Sequence, residues 1–303
     1  MDGDDPHSNP VDAETRRKDG GLPREAPLTL MALFAHPDDE SFAAGGTLAR
    51  YARQGKRVVL ACATRGEAGI THDEDAVQPE DMGQVREAEL RCACSVLGVQ
   101  ELRFLGYRDS GMRDSPDNEH PLAFMRADPA EVVGHLLDLF GEFQPHVVLT
   151  FGPSGGYGHP DHVAIHNHVT AAWHAAGDSV RYRDLAADPP RKLYYTAISA
   201  RTFRRIREAM WRHGLLPAPP SDEDVARRGA PEDAITTSIE VRDFLEYKIE
   251  ALRCHRTQLP PTHTWLNLPP EFRREYMGHE YFILAGARGG KPVTGEEDLF
   301  AGL

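Results

Sequence analysis

Short apolar runs alternate with amphipathic segments along the first half of the chain. Four runs have the length and composition of buried strands: residues 28–34, 57–63, 102–107 and 147–151. Three segments between them carry apolar side chains at helical spacing: 41–54, 82–97 and 129–143. This alternation predicts an α/β fold, a Rossmann-like, mostly parallel sheet flanked by helices. Right-handed crossovers would bring the loops after these strands to one edge of the sheet.

The second half of the chain is less regular. Its pattern predicts strands at 192–198 and 280–284, helices at 202–212 and 241–255, and a proline-rich loop at 217–232. His255 could reach the site, but the favoured interpretation is a histidine near the carbonyls of a helix end. No linker separates this half from the sheet, so residues 28–303 are predicted to form one domain, in which 176–290 form a cap that shapes the substrate site. Residues 1–27 contain almost no large apolar side chains, which predicts a disordered tail.

Composition excludes some classes of protein without choosing one. The formal net charge of -13 argues against a nucleic-acid partner, because such proteins present basic surfaces. No apolar run is long enough for a membrane span, and no secretion signal is recognisable, so we expect a soluble, cytoplasmic protein. The four cysteines contain no C-x-x-C pair and predict reduced, mostly buried thiols: Cys62, Cys92, Cys94 and Cys254. A homo-oligomer is left open.

Chemically reactive residues follow the first predicted strand directly. Residues 35–40 read Ala-His-Pro-Asp-Asp-Glu. His36 and Asp39 offer a nitrogen and an oxygen ligand, which suit zinc or a similar divalent ion. Asp38, between them in sequence, remains free to act as a base, and Glu40 is expected to brace the loop. Because Pro-Asp-Asp also favours a simple turn, these six residues support a turn and a site about equally.

A second stretch of the same residue types follows the fourth predicted strand. Residues 152–162 read Gly-Pro-Ser-Gly-Gly-Tyr-Gly-His-Pro-Asp-His. A helix beginning within this stretch would let His162 complete a two-histidine, one-carboxylate set with His36 and Asp39, as catalytic zinc sites require. His166 competes for this role but lies one turn farther along the helix. The glycines could instead cradle a phosphate, although neither nucleotide-binding spacing nor a lysine is present.

The two stretches resemble the paired motifs of a known family, the metal-dependent N-deacetylases of the LmbE and PIG-L type, which act on N-acetylglucosaminyl compounds. The resemblance covers residues 28–175 well and becomes looser from 176 to 275. Within the family, the likeness is closest to the mycothiol-pathway deacetylases and the related conjugate amidases. Residues 108–112, Arg-Asp-Ser-Gly-Met, look like the substrate-contacting loop of those deacetylases.

The resemblance implies roles for the matching side chains. Three of them would hold the metal, zinc or alternatively ferrous iron: His36, Asp39 and His162. Four would carry out amide cleavage: Asp38 as the general base, His159 beside the leaving group, Asp161 as the carboxylate that orients and charges His159, and Tyr157 as a phenol that polarises the carbonyl. Two match positions that contact the sugar: Arg86 and Asp109.

The implied reaction is hydrolysis of the acetamide of a small amino-sugar substrate. A divalent ion would lower the pKa of a water molecule and polarise the acetyl oxygen. Asp38 would remove the proton of that water, and His159 would protonate the leaving amine. Two alternatives remain open. One is an amidase that cuts a larger acyl or cysteinyl amide from a glucosamine conjugate, and the other is a non-catalytic nucleotide-binding module.

Overall fold

Seven strands of the described residues form one mixed sheet. The computed structural model describes residues 27–71, 77–178, 188–289 and 295–303. The strands are β1 (Thr29–Phe34), β2 (Arg57–Thr64), β3 (Glu101–Tyr107), β4 (Val147–Phe151), β5 (Lys192–Ala197), β6 (Thr237–Glu240) and β7 (His279–Ala287). Their order is β3-β2-β1-β4-β5-β7-β6. The first five run parallel, and β7 pairs antiparallel with β5 and β6. The predicted α/β class and mostly parallel sheet are confirmed.

The strand order reverses beside β1. The chain passes from β1 to β2 and β3 on one side, then returns to place β4 on the other side of β1. In doubly wound sheets, such a reversal opens a crevice beyond the carboxyl ends of the two neighbouring strands, where ligands bind. All six residues of β1 are buried, as expected at the centre of a sheet covered on both faces. The loops after β1 and β4 therefore face each other.

Helices connect and cover these strands. Those in the described ranges are α1 (Asp39–Arg53), α2 (Met82–Leu97), α3 (Pro129–Phe143), α4 (Gly155–Gly158), α5 (Pro160–Ala176), α6 (Ala200–Arg212), α7 (Asp222–Arg228), α8 (Leu245–Cys254) and α9 (Pro270–Tyr276). Short 3-10 turns occur at Pro79–Asp81, Pro116–Glu119, Phe124–Arg126, Glu232–Ala234, Arg242–Phe244 and Thr264–Asn267. Helices α1, α2 and α8 pack together, while α3 packs on α5. The reversal of strand order puts these two groups on opposite faces of the sheet.

The elements predicted for the first half are present, with small shifts at their ends. In the second half, the loop predicted at 217–232 is wrong, because it contains α7. Val225 is the one buried residue of this helix, so the apolar periodicity that reveals a helix is missing. Its start is held instead by Ser221 Oγ, which accepts a hydrogen bond from the Asp224 amide. Strand β6 was not predicted, and its four residues are too few to show an alternating pattern.

The cysteine prediction is partly wrong. Cys92 on α2 and Cys254 at the end of α8 form a disulfide with a Cα–Cα distance of 5.8 Å. The pairing spans a sequence separation of 162, and spacing alone cannot reveal such a partner. Cys62 and Cys94 are buried free thiols, as predicted. Because disulfides are rare in reducing compartments, the cysteines no longer support the expectation of a cytoplasmic location.

Two predictions remain, one on the N-terminal tail and one on the domain organisation. The predicted tail at 1–27 lies, apart from Pro27, outside the described residues. The organisation into one domain stays a prediction, although β5, β6 and β7 extend the same sheet as the first four strands. Across the described ranges, no helix has the length and apolar character needed to cross a membrane.

Candidate active site

The Ala-His-Pro-Asp-Asp-Glu stretch forms the turn between β1 and α1. Asp38 adopts φ +113°, a left-handed conformation that is strained for any residue with a Cβ atom. Its carbonyl accepts hydrogen bonds from the amides of Ser41 and Phe42, both at 3.1 Å, which begin the helix. Backbone strain of this kind collects at functional sites, where the surroundings must hold it. The strain at Asp38 therefore points to a functional role for this turn.

Three predicted ligand side chains meet across the crevice. His36 Nδ1 lies 3.2 Å from His162 Nε2 and 3.6 Å from Asp39 Oδ2. His162 Nε2 lies 3.2 Å from Asp39 Oδ1. All three side chains are buried. His166, the competing candidate, turns its Nδ1 towards the carbonyl of Phe151 at 2.9 Å and is not part of this group.

The hydrogen bonds on the far sides of the two rings show that this cluster fits a cation. His162 Nδ1 lies 3.0 Å from the Gly155 carbonyl, and His36 Nε2 lies 3.2 Å from Asp161 Oδ2. Because those partners accept hydrogen bonds, these ring nitrogens carry the protons. Lone pairs on His36 Nδ1 and His162 Nε2 then face each other and a carboxylate oxygen, an arrangement that a divalent ion stabilises.

Distance alone allows other ligand sets. His36 groups with His159 and His162, and also with Asp109 and Asp161, each group having ligand atoms within 4.8 Å of one another. The acidic group, however, faces the ring nitrogen of His36 that carries the proton. Asp109 Oδ1 lies 3.4 Å from that nitrogen and also accepts the Gly111 amide at 2.8 Å. Both carboxylates therefore orient His36 from behind.

Asp38 lies beside the cluster, against Arg86 of α2. Arg86 Nη2 donates to the Pro37 carbonyl at 2.6 Å and lies 3.4 Å from Asp38 Oδ2, while Nη1 donates to the Gly66 carbonyl at 2.9 Å. Burial raises the pKa of Asp38 to about 6, although the Arg86 guanidinium opposes the shift. Arg86 is only 3% exposed, so the structure places it beneath Asp38 with little surface left for a sugar.

Gly66 makes room for this arginine. The residue follows β2 and adopts φ +71°, and a Cβ atom there would lie 2.1 Å from Arg86 Nη1. The guanidinium therefore occupies space that any side chain at position 66 would fill. The glycine-containing loop after the second strand thus supports Asp38 through Arg86.

The implied pairing of Asp161 with His159 is wrong. His159 caps the start of α5, and its Nδ1 accepts a hydrogen bond from the Asp161 amide at 3.2 Å. The Asp161 carboxylate points elsewhere and accepts hydrogen bonds from the Ser110 amide at 2.8 Å, from Ser110 Oγ and from His36. Burial, together with the nearby His36 and His162, lowers the pKa of His159 to about 4. The lowered pKa favours a neutral imidazole at His159 over the expected cation.

Tyr157 lies at the mouth of the site. Its ring centroid is 5.0 Å from that of His162 and 6.2 Å from that of His159, and the residue is 49% exposed. Burial of its hydroxyl raises the pKa of the phenol, so the group keeps its proton and can donate a hydrogen bond. The structure thus brings Tyr157 next to the cluster.

Two contacts at the back of the site were not predicted. Ser110 donates hydrogen bonds to the Asp161 carboxylate. The only hint of this in the sequence was that Ser110 lies in a polar loop directly after the third predicted strand. His255 does not face helix-end carbonyls as expected: its Nε2 lies 2.9 Å from Glu40 Oε1, and both residues are buried. No sequence signal connects positions 215 residues apart. Glu40 braces the loop as predicted, since its Oε2 accepts the Asp38 amide at 3.0 Å.

An α/β sheet with a two-histidine, one-carboxylate cluster at its switch point is what the resemblance to the metal-dependent N-deacetylases implies. Comparisons with known proteins agree with that family. Residues 31–173 match the family model described as PIG-L: GlcNAc-PI de-N-acetylase, and the chain belongs to this family. It is 39% identical over 287 residues to the 1D-myo-inositol 2-acetamido-2-deoxy-alpha-D-glucopyranoside deacetylase of Acidothermus cellulolyticus, covering 91% of this chain and 95% of the relative. The protein of the same name from Thermobifida fusca is 37% identical, with coverage of 90% and 98%.

Solved structures share the fold at lower sequence identity. The N,N'-diacetylchitobiose deacetylase from Pyrococcus horikoshii has a TM-score of 0.59 and 20% identity, covering 84% of this chain and 83% of that one. GalB, the 4-carboxy-2-hydroxymuconate hydratase from Pseudomonas putida, has a TM-score of 0.60 and 17% identity, covering 88% and 100%. Because one neighbour is a deacetylase and the other a hydratase, the fold alone does not decide the reaction.

Proposed function

We propose that the protein hydrolyses the acetamide of a small N-acetylglucosaminyl substrate and releases acetate. The observation that carries the proposal is the convergence of His36, Asp39 and His162 beside the Asp38 carboxylate. The relatives' names identify the first compound to test, 1D-myo-inositol 2-acetamido-2-deoxy-α-D-glucopyranoside. The similarity to those relatives extends over nearly their whole length, which supports a shared substrate class.

We assign zinc to the cluster, with ferrous iron as the alternative. Two imidazole nitrogens and one carboxylate form the donor set of many catalytic zinc sites, and the same set suits ferrous iron. A divalent ion held there supplies acidification of a water molecule and polarisation of the amide carbonyl. Asp161 and Asp109 contribute by fixing the ring of His36, so that Nδ1 keeps its lone pair for the ion.

Asp38 is assigned as the general base. An amide resists hydrolysis partly because water is a weak nucleophile, and a carboxylate that removes the proton of the water corrects this. The raised pKa, about 6, makes Asp38 a stronger base than an ordinary carboxylate while leaving it ionised at neutral pH. Arg86 preserves that ionised state by its positive charge and fixes the carboxylate from below.

His159 and Tyr157 are assigned to the developing oxyanion. His159 Nδ1 accepts a backbone hydrogen bond, so the ring proton is on Nε2. Among the described residues Nε2 has no hydrogen-bond partner, so it is available to donate. A neutral donor with a pKa of about 4 stabilises negative charge but is not itself a protonated acid at neutral pH. The proton that the leaving amine needs can then come from Asp38, which has taken it from the water.

Acetate release from purified protein tests the proposal. The panel contains the inositol glycoside named above, N,N'-diacetylchitobiose, free N-acetylglucosamine and a cysteinyl amide of a glucosamine conjugate. We expect acetate from at least one N-acetylglucosaminyl compound, in an amount equal to the free amine that appears. Cleavage of the cysteinyl amide alone would replace the deacetylase by the amidase alternative. Binding of nucleotide without any hydrolysis would overturn both.

A further inference from the structure

The end of α8 reaches the back of the turn that carries Asp38. His255 follows the last residue of this helix and is 0% exposed. Its Nε2 lies 2.9 Å from Glu40 Oε1, while its Nδ1 has no hydrogen-bond partner within the described part of the chain. Burying a histidine with one ring nitrogen unpaired costs free energy, so its position beside Glu40 calls for an explanation.

The Glu40 carboxylate links His255 to the backbone of Asp38. Its Oε2 accepts the Asp38 amide at 3.0 Å, and its Oε1 accepts both Ser41 Oγ and His255. Asp38 has a φ of +113°, a left-handed conformation that is unfavourable for a residue with a Cβ atom. Such a conformation persists only where neighbouring groups hold it. The Glu40 carboxylate is one of those groups, and His255 holds the carboxylate.

Helix α2 fixes the chain on both sides of His255. The disulfide from Cys92 joins Cys254, the residue directly before it. Two residues after it, Thr257 donates to the Glu89 carboxylate through its amide at 2.8 Å and its hydroxyl at 2.7 Å. These contacts fix the backbone on both sides of His255 and so limit where its ring can lie.

The same face of α2 also carries Arg86. Arg86, Glu89 and Cys92 follow one another at intervals of three residues, which places them along one side of the helix. Arg86 contacts the Asp38 carboxylate directly. Helix α2 therefore reaches Asp38 by two routes: directly through Arg86, and indirectly through the end of α8.

We propose that His255 is a positioning residue for the catalytic base. Acting through Glu40, it holds the backbone of Asp38 in the left-handed conformation that presents the carboxylate to the reacting water. His255 itself does not touch the substrate or the metal ligands. This inference rests on the proposed function, in which Asp38 is the base.

Two substitutions at this position separate positioning from packing. His255→Leu removes the hydrogen bond to Glu40 and keeps a side chain of moderate size. His255→Gln keeps an amide N–H that can donate to the same carboxylate. We expect His255→Leu to lower kcat on the order of 10- to 100-fold, since a small misplacement of a catalytic group has that effect. KM and the bound metal should stay at parent values, and His255→Gln should recover much of the rate.

A background that lacks the base makes the test specific. In Asp38→Asn protein, His255→Leu should cause no further loss of kcat, because the residue acts through Asp38. The proposal is overturned by equal losses in both backgrounds, by unchanged kcat in the single variant, or by loss of metal. Failure of the proposed function looks different, because Asp38→Asn alone would then retain the parent rate.

A second site covers the case in which His255→Leu does not fold. Thr257→Val removes the hydroxyl contact with Glu89 and leaves the backbone contact in place. The variant should lower kcat a few-fold in the parent and leave kcat unchanged in the Asp38→Asn background. Parent-level kcat, or an equal loss in both backgrounds, would count against the positioning role.

Discussion

Breaking the Cys92–Cys254 disulfide should lower the free energy of unfolding by several kcal/mol. The bond links positions 162 residues apart. In the chain-entropy account, a cross-link of this span removes conformational freedom from the unfolded chain worth about 5 kcal/mol near room temperature. Measured contributions of disulfides are roughly 2–4 kcal/mol, so the expected loss is about 2–5 kcal/mol. The perturbation is Cys92→Ser, and Cys94→Ser changes a free buried thiol on the same helix as its matched control.

Urea unfolding with and without dithiothreitol provides the assay. The parent and Cys94→Ser should both lose stability when reduced, whereas Cys92→Ser should already have the lower stability and not respond to reductant. Thiol titration of the unfolded, unreduced parent should find the two free cysteines, Cys62 and Cys94. A parent protein that shows four reactive thiols and no change of stability on reduction would show that the Cys92–Cys254 disulfide is absent.

Four further predictions concern the site. Asp38→Asn should keep its metal and lose about 10²–10⁴-fold in kcat, and a parent-like rate would show that the base is misassigned. His162→Ala should lose the metal measured by elemental analysis, while His174→Ala on the exposed side of α5 should keep it; equal metal contents would exclude His162 as a ligand. Because Asp38 must be ionised to accept a proton, kcat/KM should fall as pH drops through its pKa, about 6 or lower once a cation is bound. Arg86→Met should move that fall to higher pH, and a profile unaffected by this change would contradict the pairing of Arg86 with Asp38.

The fold of the first half could be predicted because its signals are local. Buried parallel strands such as β1 and β4 appear as continuous apolar runs, and the helices between them repeat their apolar side chains at helical spacing. Elements of the second half give weaker signals. Helix α7 buries a single side chain, and β6 has four residues, so other parts of the molecule determine both.

The meeting of the two motifs could be anticipated from topology, but their contacts could not. Parallel strands put His36 and His162 at the same sheet edge, and the adjacency of β1 and β4 brings their ring nitrogens to 3.2 Å. The Asp161 carboxylate points to Ser110 and His36 rather than to His159, a detail of geometry that a motif does not contain. The link between Glu40 and His255 joins distant parts of the chain and needs the folded structure.

Metal-dependent deacetylation by this protein can be tested with one chelation experiment. Acetate release from 1D-myo-inositol 2-acetamido-2-deoxy-α-D-glucopyranoside is measured before chelation, after chelation, and after zinc or ferrous iron is restored under anaerobic conditions. We expect acetate at first, none from the metal-free protein, and recovery with at least one of the two ions. Acetate release that continues at the same rate from protein shown to be metal-free would show that the reaction does not need a metal ion.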